Sequence, residues 1–582
     1  MQMCFMNNPI YKISVFILLL MTATAWAQDE DELSPEVINV VRPYTPSVSD
    51  AFKVKEDASL PDSIATDKKP MEYTINSVPV ASTFTPAKGK ATRLAVERPE
   101  RIYNNYASLG VGNYTSMLAE FYSNFEISRY DDFSVFLRHN SSQGGIENVV
   151  LDDKFYDTRL NLGYKSSLRD MTYQINVEGL HQLYNWYGLP IDTFTADQAE
   201  TIDPVHSFMG AAIGGAIQTE DSFFTDGDVL LRYFGDSYSS SELFAQLQPK
   251  FAFEVGRQHI GINADVSYVS GGFEQSYNNP DTDIAYSYLN LGVHPYIKLN
   301  QDRFSAVIGV AVYAGMDNEA SESDVFIYPK LEASYRLSGD AAIVYAGVDG
   351  GLEQNTYYDI VQKNPFVSPT LFIAPTNKEY DAYAGLKGLV NTKLGYDLKV
   401  SYSKEEGVPL FIINPYDVMQ PFDDTNEDFA YGNSFGVYYE SMTTLEVFGE
   451  LRYDFNNNYT VGFNASYFNY DAVAREVLNL PELTASLFAK ANFTKKFYGG
   501  LDVFFVGKRK EFLANNTFFD NFNVVTLDSF VDLNINFGFN VNDQLSIFLK
   551  GNNLLGENYQ RWLNYPVQGL QFMGGATYKF DW

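Results

Sequence analysis

Cysteine is almost absent from this chain of 582 residues, which holds a single one, Cys4, close to its amino terminus. Disulfide bonds and thiolate metal sites are therefore not expected in the rest of the protein. Basic residues are also scarce, with 41 Lys and Arg against 73 Asp and Glu, and the formal net charge is −32. Because nucleic acids are bound through stripes of Lys and Arg, this charge argues against a nucleic-acid partner.

Long apolar runs are missing as well, apart from one short run at residues 13–21. A helix that spans a bilayer needs about 20 apolar residues, so a membrane anchor is the weaker interpretation of this run. Lys12 precedes the run and Ala25-Trp26-Ala27 follows it, which is the pattern of a cleaved export signal. We therefore predict that residues 1–27 are a signal peptide, and that Cys4 is removed with it.

From about Asn105 onward, apolar and polar residues alternate with a period of two. In residues 531–541, apolar side chains hold every odd position, and small or polar side chains hold the even positions. The same pattern recurs in 117–127, 155–165, 258–268 and 444–455. This period predicts β-strands with one apolar and one polar face.

The segments between these strands alternate between short turns and long polar loops. Short turns are predicted at 168–170, 300–302, 338–340, 456–458 and 542–543, and long loops near 141–153, 183–205, 271–283, 355–379, 405–430, 508–525 and 556–568. Short turns on one side and long loops on the other are typical of barrels in bacterial outer membranes. Treating 431–455 as one long strand with a break near 440–443 gives about 22 strands in residues 105–582.

The alternation also indicates the environment of the strands. A sheet in a bilayer must be closed so that every backbone group is paired, and its outward residues then contact lipid. Aromatic residues, 16% of the chain, gather in belts at both interfaces of such barrels. A soluble β-sandwich or propeller is the alternative, but it would have to pack all its apolar faces into one core. We predict an all-β fold, a transmembrane antiparallel β-barrel in the cell outer membrane, surrounded by outer-membrane lipid.

The carboxy-terminal strand has a distinctive pattern. Tyr578, Phe580 and Trp582 share one face of the last predicted strand, and the chain closes on the aromatic Trp582. A final strand of this kind is similar to the signal by which the barrel-assembly machinery recognises its clients. We therefore predict that these three residues form an assembly signal.

The end of the chain resembles the carboxy-terminal signature of TonB-dependent outer-membrane receptors. The matching residues are Asn553-Leu554-Leu555, Tyr559, Pro566, Gly569, Phe572, Gly574, Tyr578 and Phe580. The resemblance implies a barrel of 22 strands and the binding or transport of a solute. Near the mature start, a short segment is similar to the family's TonB-contacting box and makes TonB a candidate partner; it consists of Glu36, Val37, Ile38, Asn39, Val40 and Val41.

The sequence departs from this family before the first strand. The family fills its barrel with a plug domain of well over a hundred residues, whereas residues 28–104 are rich in proline and show no plug-like alternation of strands and helices. We expect this segment to be extended in the periplasm or threaded through the lumen. A wide barrel needs an occluding element, and the candidates are inward-folded loops, this segment or a partner protein.

The inward-facing positions of the predicted strands carry charges of both signs, which favours contact with a folded segment or with a neutral polar solute. We expect an outer-membrane transporter or receptor whose long loops recognise the solute. The alternative is a barrel that does not transport and serves as a scaffold or subunit of an envelope complex, with a periplasmic protein or lipoprotein as partner.

Catalytic and metal-binding motifs are not found in the sequence. The five histidines form no close pair at ligand spacing, and no nucleophile elbow, His-Glu-x-x-His or Walker pattern occurs, so the chain is not expected to be an enzyme. No cofactor is expected. The acidic segments 317–324 and 423–428 are the candidates for Ca²⁺ binding through oxygen ligands.

Overall fold

The computed structural model describes residues 101–582, apart from 191–192, 257, 278, 417–421, 474–475 and 515–521. The predicted signal peptide and residues 28–100 lie outside the described residues, as does the TonB-box-like segment 36–41. Within the described part of the chain, 22 strands form one antiparallel sheet.

The first nineteen of these strands pair with one another in the order of the chain. They are β1 (Asn105–Gly112), β2 (Met117–Glu126), β3 (Asp131–Ser142), β4 (Phe155–Ser167), β5 (Met171–Asn185), β6 (Val205–Thr219), β7 (Phe224–Asp236), β8 (Ser241–Val255), β9 (Gln258–Phe273) and β10 (Ile284–Gln301). The series continues with β11 (Phe304–Asp317), β12 (Glu322–Arg336), β13 (Ile343–Glu353), β14 (Thr376–Val390), β15 (Leu394–Ile413), β16 (Phe435–Asn456), β17 (Tyr459–Ala472), β18 (Leu483–Asn492) and β19 (Phe497–Val506).

The remaining elements include three more barrel strands and several short pieces within loops. The barrel is completed by β22 (Phe530–Asn540), β23 (Leu545–Asn552) and β26 (Gln571–Phe580). Two small hairpins lie in the connections before and after β22 and β23, formed by β20 (Arg509–Ala514) with β21 (Phe522–Leu527), and by β24 (Gln560–Trp562) with β25 (Tyr565–Pro566). Among the described residues the helices are α1 (Ala196–Ala199) and α2 (Tyr357–Lys363).

The sheet closes on itself because β1 pairs with both β2 and β26. Asn105, at the start of β1, lies opposite Phe580, at the end of β26, so both ends of the barrel lie on the same side. This is the side of the short turns, as an even number of strands requires. The predicted antiparallel barrel of about 22 strands is confirmed.

The connections fall into two classes, also as predicted. On one side, turns of at most six residues join β2 to β3, β4 to β5 and their successors. On the other side lie the long loops 143–154, 186–204, 354–375, 414–434, 507–529 and 553–570, with shorter connections such as 318–321 between them. We call this the loop end of the barrel.

Two predicted boundaries near the loop end are wrong. Residues 405–413, predicted as loop, continue strand β15, because the apolar residues after Gly407 pair with the start of β16. The predicted break at 440–443 is absent from β16, which the structure describes as continuous. The irregularity lies in its partner instead, where the register shifts between Glu405 and Val408.

Alternation along the strands separates a lipid face from a lumen face. On β7, Val229, Leu231 and Tyr233 point outward and are half exposed, whereas Arg232 points inward. Outward apolar side chains recur around the barrel, as a protein in contact with lipid requires. The protein is therefore an outer-membrane barrel that crosses the membrane many times. Among the helices in the described residues, none is long and apolar enough to span a membrane.

Many tyrosines cover glycines on neighbouring strands, in addition to the interfacial belts that the sequence predicts. Tyr383 lies directly over its cross-strand partner Gly347, and Tyr345 lies over Gly385 in the same way. A Cβ atom at either glycine would collide with the ring. Such pairs cover the bare backbone of glycine and fix the register of neighbouring strands.

Candidate functional site at the loop end

The long loops fold inward and share one apolar core at the loop end, which we call the loop core. Six of the long connections contribute buried side chains, together with strand residues that face the lumen just below them. Buried members from the loops include Leu151, Tyr187, Ile202, Tyr357, Ile360, Val367, Leu371, Tyr431, Leu527, Leu563 and Tyr565. Each large side chain buried in this way contributes about 1.5–3 kcal/mol. Of the three candidates for filling the lumen, the structure therefore places inward-folded loops at this end.

Tyr565 is the centre of the loop core. Its side chain is 1% exposed, and its ring stacks on Phe366 at a centroid distance of 4.0 Å and contacts Tyr187 at 4.8 Å. Its hydroxyl donates to the backbone carbonyl of Asn433. Tyr187 in turn donates to the carbonyl of Pro566 at 3.0 Å. One side chain thus joins four loops whose residues are far apart in sequence.

Helix α2 is fixed by a cap and by a buried carboxylate. The hydroxyl of Thr356 accepts from the backbone N–H of Asp359, as an N-cap residue does. Glu242, at the start of β8, accepts from the N–H groups of Tyr357 at 2.6 Å and Tyr358 at 3.3 Å. A negative charge at a helix N-terminus satisfies amides that have no partner within the helix. Glu242 therefore ties the 354–375 loop to the barrel wall.

A second buried polar network, formed by Tyr357, Asp236 and His206, lies beside the contact between Glu242 and α2. The hydroxyl of Tyr357 donates to Asp236 at 2.7 Å, and His206 Nε2 lies 3.1 Å from the same carboxylate oxygen. Tyr357 and His206 are fully buried, and the side chains of His206 and Asp236 have no exposed surface. Breaking such a buried network leaves polar groups unsatisfied, at a cost of about 1–3 kcal/mol for each group.

Two arginines of the barrel wall, Arg232 on β7 and Arg159 on β4, contact α2 and its N-cap residue. Arg232 Nη2 donates to Thr356 Oγ1 at 2.9 Å, and its guanidinium lies 3.9 Å from the ring centroid of Tyr358. Arg159 Nη2 donates to Gln362 Oε1 at 2.9 Å. The wall charges predicted to contact a folded segment therefore do so, and that segment is a loop.

Glu511, on the small hairpin β20–β21, joins this hairpin to the connection between β17 and β18 and to the end of β15. It is fully buried and accepts from Asn479 Nδ2 and from the backbone N–H of Phe512 at 3.0 Å. Burial raises the pKa of this carboxyl to about 7, because these hydrogen bonds and the nearby charge of Arg509 only partly offset the loss of hydration. Glu511 therefore titrates near neutral pH within the loop region.

We expect the packing of the β20–β21 hairpin to weaken as pH rises. With a folded-state pKa of about 7 against an ordinary 4.5, the folded loops bind the proton more tightly than opened loops do. The stabilisation is therefore complete below pH 4.5 and is lost as pH rises towards 7. Amide hydrogen exchange of residues 509–512, corrected for intrinsic rates, should speed up over this range. Glu511→Gln should abolish the change, and an equal pH dependence in this variant would contradict the assignment.

In each of the two acidic segments predicted as candidate calcium sites, the first carboxylate accepts hydrogen bonds within its own turn. Asp317 accepts from the N–H groups of Glu319 and Ala320 in a tight turn. Asp423 accepts from the N–H and hydroxyl of Thr425, and these hydrogen bonds lower its pKa. No group of three or more His, Cys, Asp or Glu side chains is placed to hold a metal among the described residues. Calcium binding stays a prediction.

The predicted assembly signal lies on the strand that closes the barrel. Tyr578 and Trp582 are exposed on the outer face, and Phe580 is half buried between them. The indole N–H of Trp582 donates to Ser123 Oγ at 2.9 Å, and its ring stacks on Phe125. These contacts join the chain end to β2. Recognition by the assembly machinery stays a prediction.

The residues that hold the loop core together cannot be recognised in the sequence. Glu242, Asp236 and His206 each occur in strand patterns that give no sign of a shared partner. One signal was available: Thr356 followed three residues later by Asp359 is the pattern of a helix N-terminus. It would have revealed a helix inside a predicted loop.

No family model matches this chain. No curated protein matches it either. Its fold is that of the barrels of TonB-dependent outer-membrane receptors, and the resemblance seen in the carboxy-terminal residues is confirmed at this level.

Three solved structures show how far the likeness of this barrel to known proteins extends. The FrpB iron transporter from Neisseria meningitidis superposes with a TM-score of 0.63 at 11% identity, over 83% of this chain and 82% of its own. The siderophore receptor PirA from Acinetobacter baumannii gives 0.61 at 11%, over 83% and 81%. The ferripyoverdine receptor of the outer membrane of Pseudomonas aeruginosa gives 0.58 at 13%, over 83% and 72%. At these identities the likeness shows a shared fold.

Proposed function

We propose that this protein is an outer-membrane transporter or receptor that binds a solute at its loop end and passes it through the lumen. The observation that carries the proposal is that inward-folded loops close the barrel at the loop end. Loops bound to one another and to the wall fill the loop end, and loops can move without disrupting the barrel. The fold shared with an iron transporter and with siderophore receptors supports the same function. No catalytic role is proposed.

We further propose that TonB supplies the energy for transport through contact with residues 36–41. Residues 28–104 do not show the pattern of the plug domain that fills the barrels of this family. The loop core would then take over the closing role of that domain.

The alternative is a barrel that does not transport. The specific observation in its favour is the extent of burial in the loop core, where His206, Asp236 and Glu242 make buried polar contacts. A core of this kind suits permanent closure. The protein would then serve as a scaffold or subunit of an envelope complex.

Uptake by cells separates the two functions. Accumulation of ⁵⁵Fe-loaded siderophores, radiolabelled oligosaccharides and radiolabelled polyamines is compared in cells with the full chain, without the protein, and with residues 36–41 deleted. Uptake of one solute that needs the protein and is lost with 36–41 supports TonB-coupled transport. Uptake of every solute unchanged in all three strains, with a stoichiometric partner recovered in mild detergent, supports the scaffold.

A further inference from the structure

A cavity of about 230 Å³ indents the wall of the barrel where β14, β15, β16 and β17 lie side by side. The strand register places Asp381, Ser403, Thr444 and Tyr470 in one row across these four strands. Exposed apolar residues such as Tyr402 and Val447 occupy the alternate, lipid-facing positions, so the row faces the lumen. The cavity is therefore separate from the loop core and open to a solute within the lumen.

One side of the cavity is aromatic. Phe468 and Tyr470 project from the same face of β17, with their ring centroids 5.6 Å apart and their planes within 12° of each other. Both rings line the cavity. The face of an aromatic ring attracts a cation, and more strongly where water is partly excluded.

The other strands that line the cavity contribute negative charge. Glu446 lies 3.0 Å from Lys399, and Glu405 lies 3.5 Å from Lys378. Lys378 is shared, since it also lies 3.2 Å from Glu353. Three carboxylates, those of Asp381, Glu405 and Glu446, therefore line the cavity, and two of them are paired with a lysine that lies outside the lining.

Asp381 has an unmet hydrogen-bonding requirement. Its Oδ1 atom is buried and accepts no hydrogen bond among the described residues. A buried carboxylate oxygen without a donor is costly, and buried polar groups nearly always have a partner. Because Oδ1 has no exposed surface, a solute in the cavity would contact the other carboxylate oxygen of Asp381.

We propose that this wall cavity binds a small organic cation that carries N–H groups, an amine whose charge meets Asp381 while its carbon chain lies against Phe468 and Tyr470. The volume lies below the roughly 300–1,000 Å³ of sites for drug-sized ligands and suits a short amine. This differs from the neutral solute that the mixed charges of the wall suggested, because the charged residues that line this cavity are all acidic. The proposal names a solute class and so rests partly on the transport function.

The test measures binding apart from transport. The full chain, purified from outer membranes in detergent, is titrated with putrescine at low and high salt, and with glucose as a neutral probe. We expect putrescine to bind, glucose not to bind, and putrescine affinity to fall at high salt because the contact is ionic. Asp381→Asn keeps the shape of the side chain and should weaken binding about tenfold or more.

Asp502→Asn is the matched control, since Asp502 faces the lumen from β19 outside the cavity and should leave putrescine binding unchanged. Unchanged electrophoretic mobility of the unheated barrel shows that each variant is folded. Glucose binding in place of putrescine, no binding of putrescine, or equal losses in both variants would overturn the proposal. If putrescine fails to bind while uptake of another solute still depends on the protein, the cavity assignment is wrong and the transport function stands.

Discussion

Replacing residues 354–375 by a four-residue Gly/Ser turn is expected to raise the ion conductance of the purified protein in planar bilayers by about tenfold or more, since barrels of this width form open channels when unplugged. Glu353 and Thr376 are cross-strand partners, so a short turn joins β13 to β14 without disturbing the barrel. The replacement removes α2 together with Val367, Leu371 and Ile373 from the loop core. Glu242 and Asp236 then face water and carry no desolvation cost.

A matched change at the same end serves as the control. Residues 318–321 form the tight turn between β11 and β12 and contribute nothing to the loop core, so their replacement by Gly and Ser should leave conductance unchanged. If the loop replacement leaves the barrel closed, another part of the chain blocks the lumen. That result would contradict the closing role assigned to the loops.

Tyr565→Ala is expected to loosen the loop core as a whole. Truncating a large buried aromatic residue costs about 3–5 kcal/mol, because the cavity it leaves is not refilled. Amide hydrogen exchange in residues 357–363 and 429–435 should then accelerate by about two to three orders of magnitude, since both segments depend on contacts through Tyr565. Exchange in β1 to β3 should not change, because these strands are held by the barrel.

Tyr565→Phe separates the ring from its hydroxyl. This variant keeps the stacking on Phe366 and Tyr187 and loses only the hydrogen bond to Asn433, worth about 0.5–1.5 kcal/mol. A small acceleration is therefore expected. If Tyr565→Ala accelerates exchange in the 553–570 loop alone, the loops fold independently and the shared core does not exist.

The barrel could be predicted because its signal is local and repeated. Residues 531–541 alternate strictly, and the structure pairs them as β22 with apolar side chains on the lipid face. The errors occurred where local signals conflict. Lys404, Glu405, Glu406 and Gly407 resemble a loop, yet the strand continues through a bulge into the apolar residues 408–413.

The loop core could not be predicted, because its contacts join distant residues. Arg159 and Gln362 are 203 positions apart, and Tyr187 and Pro566 are 379 apart. Nothing in either local sequence specifies the other partner. The wall cavity could not be predicted for the same reason, since Asp381 and Tyr470 share a row only through the register of four strands.

The sequence by itself determined the closed barrel, its lipid face, and the side on which the long loops lie, because a period of two and the length of connections are properties of neighbouring residues. The tertiary structure alone decided what fills the loop end and where charge accumulates in the lumen. Buried carboxylates such as Glu242 acquire partners only when the wall curves round to meet a loop from another part of the chain.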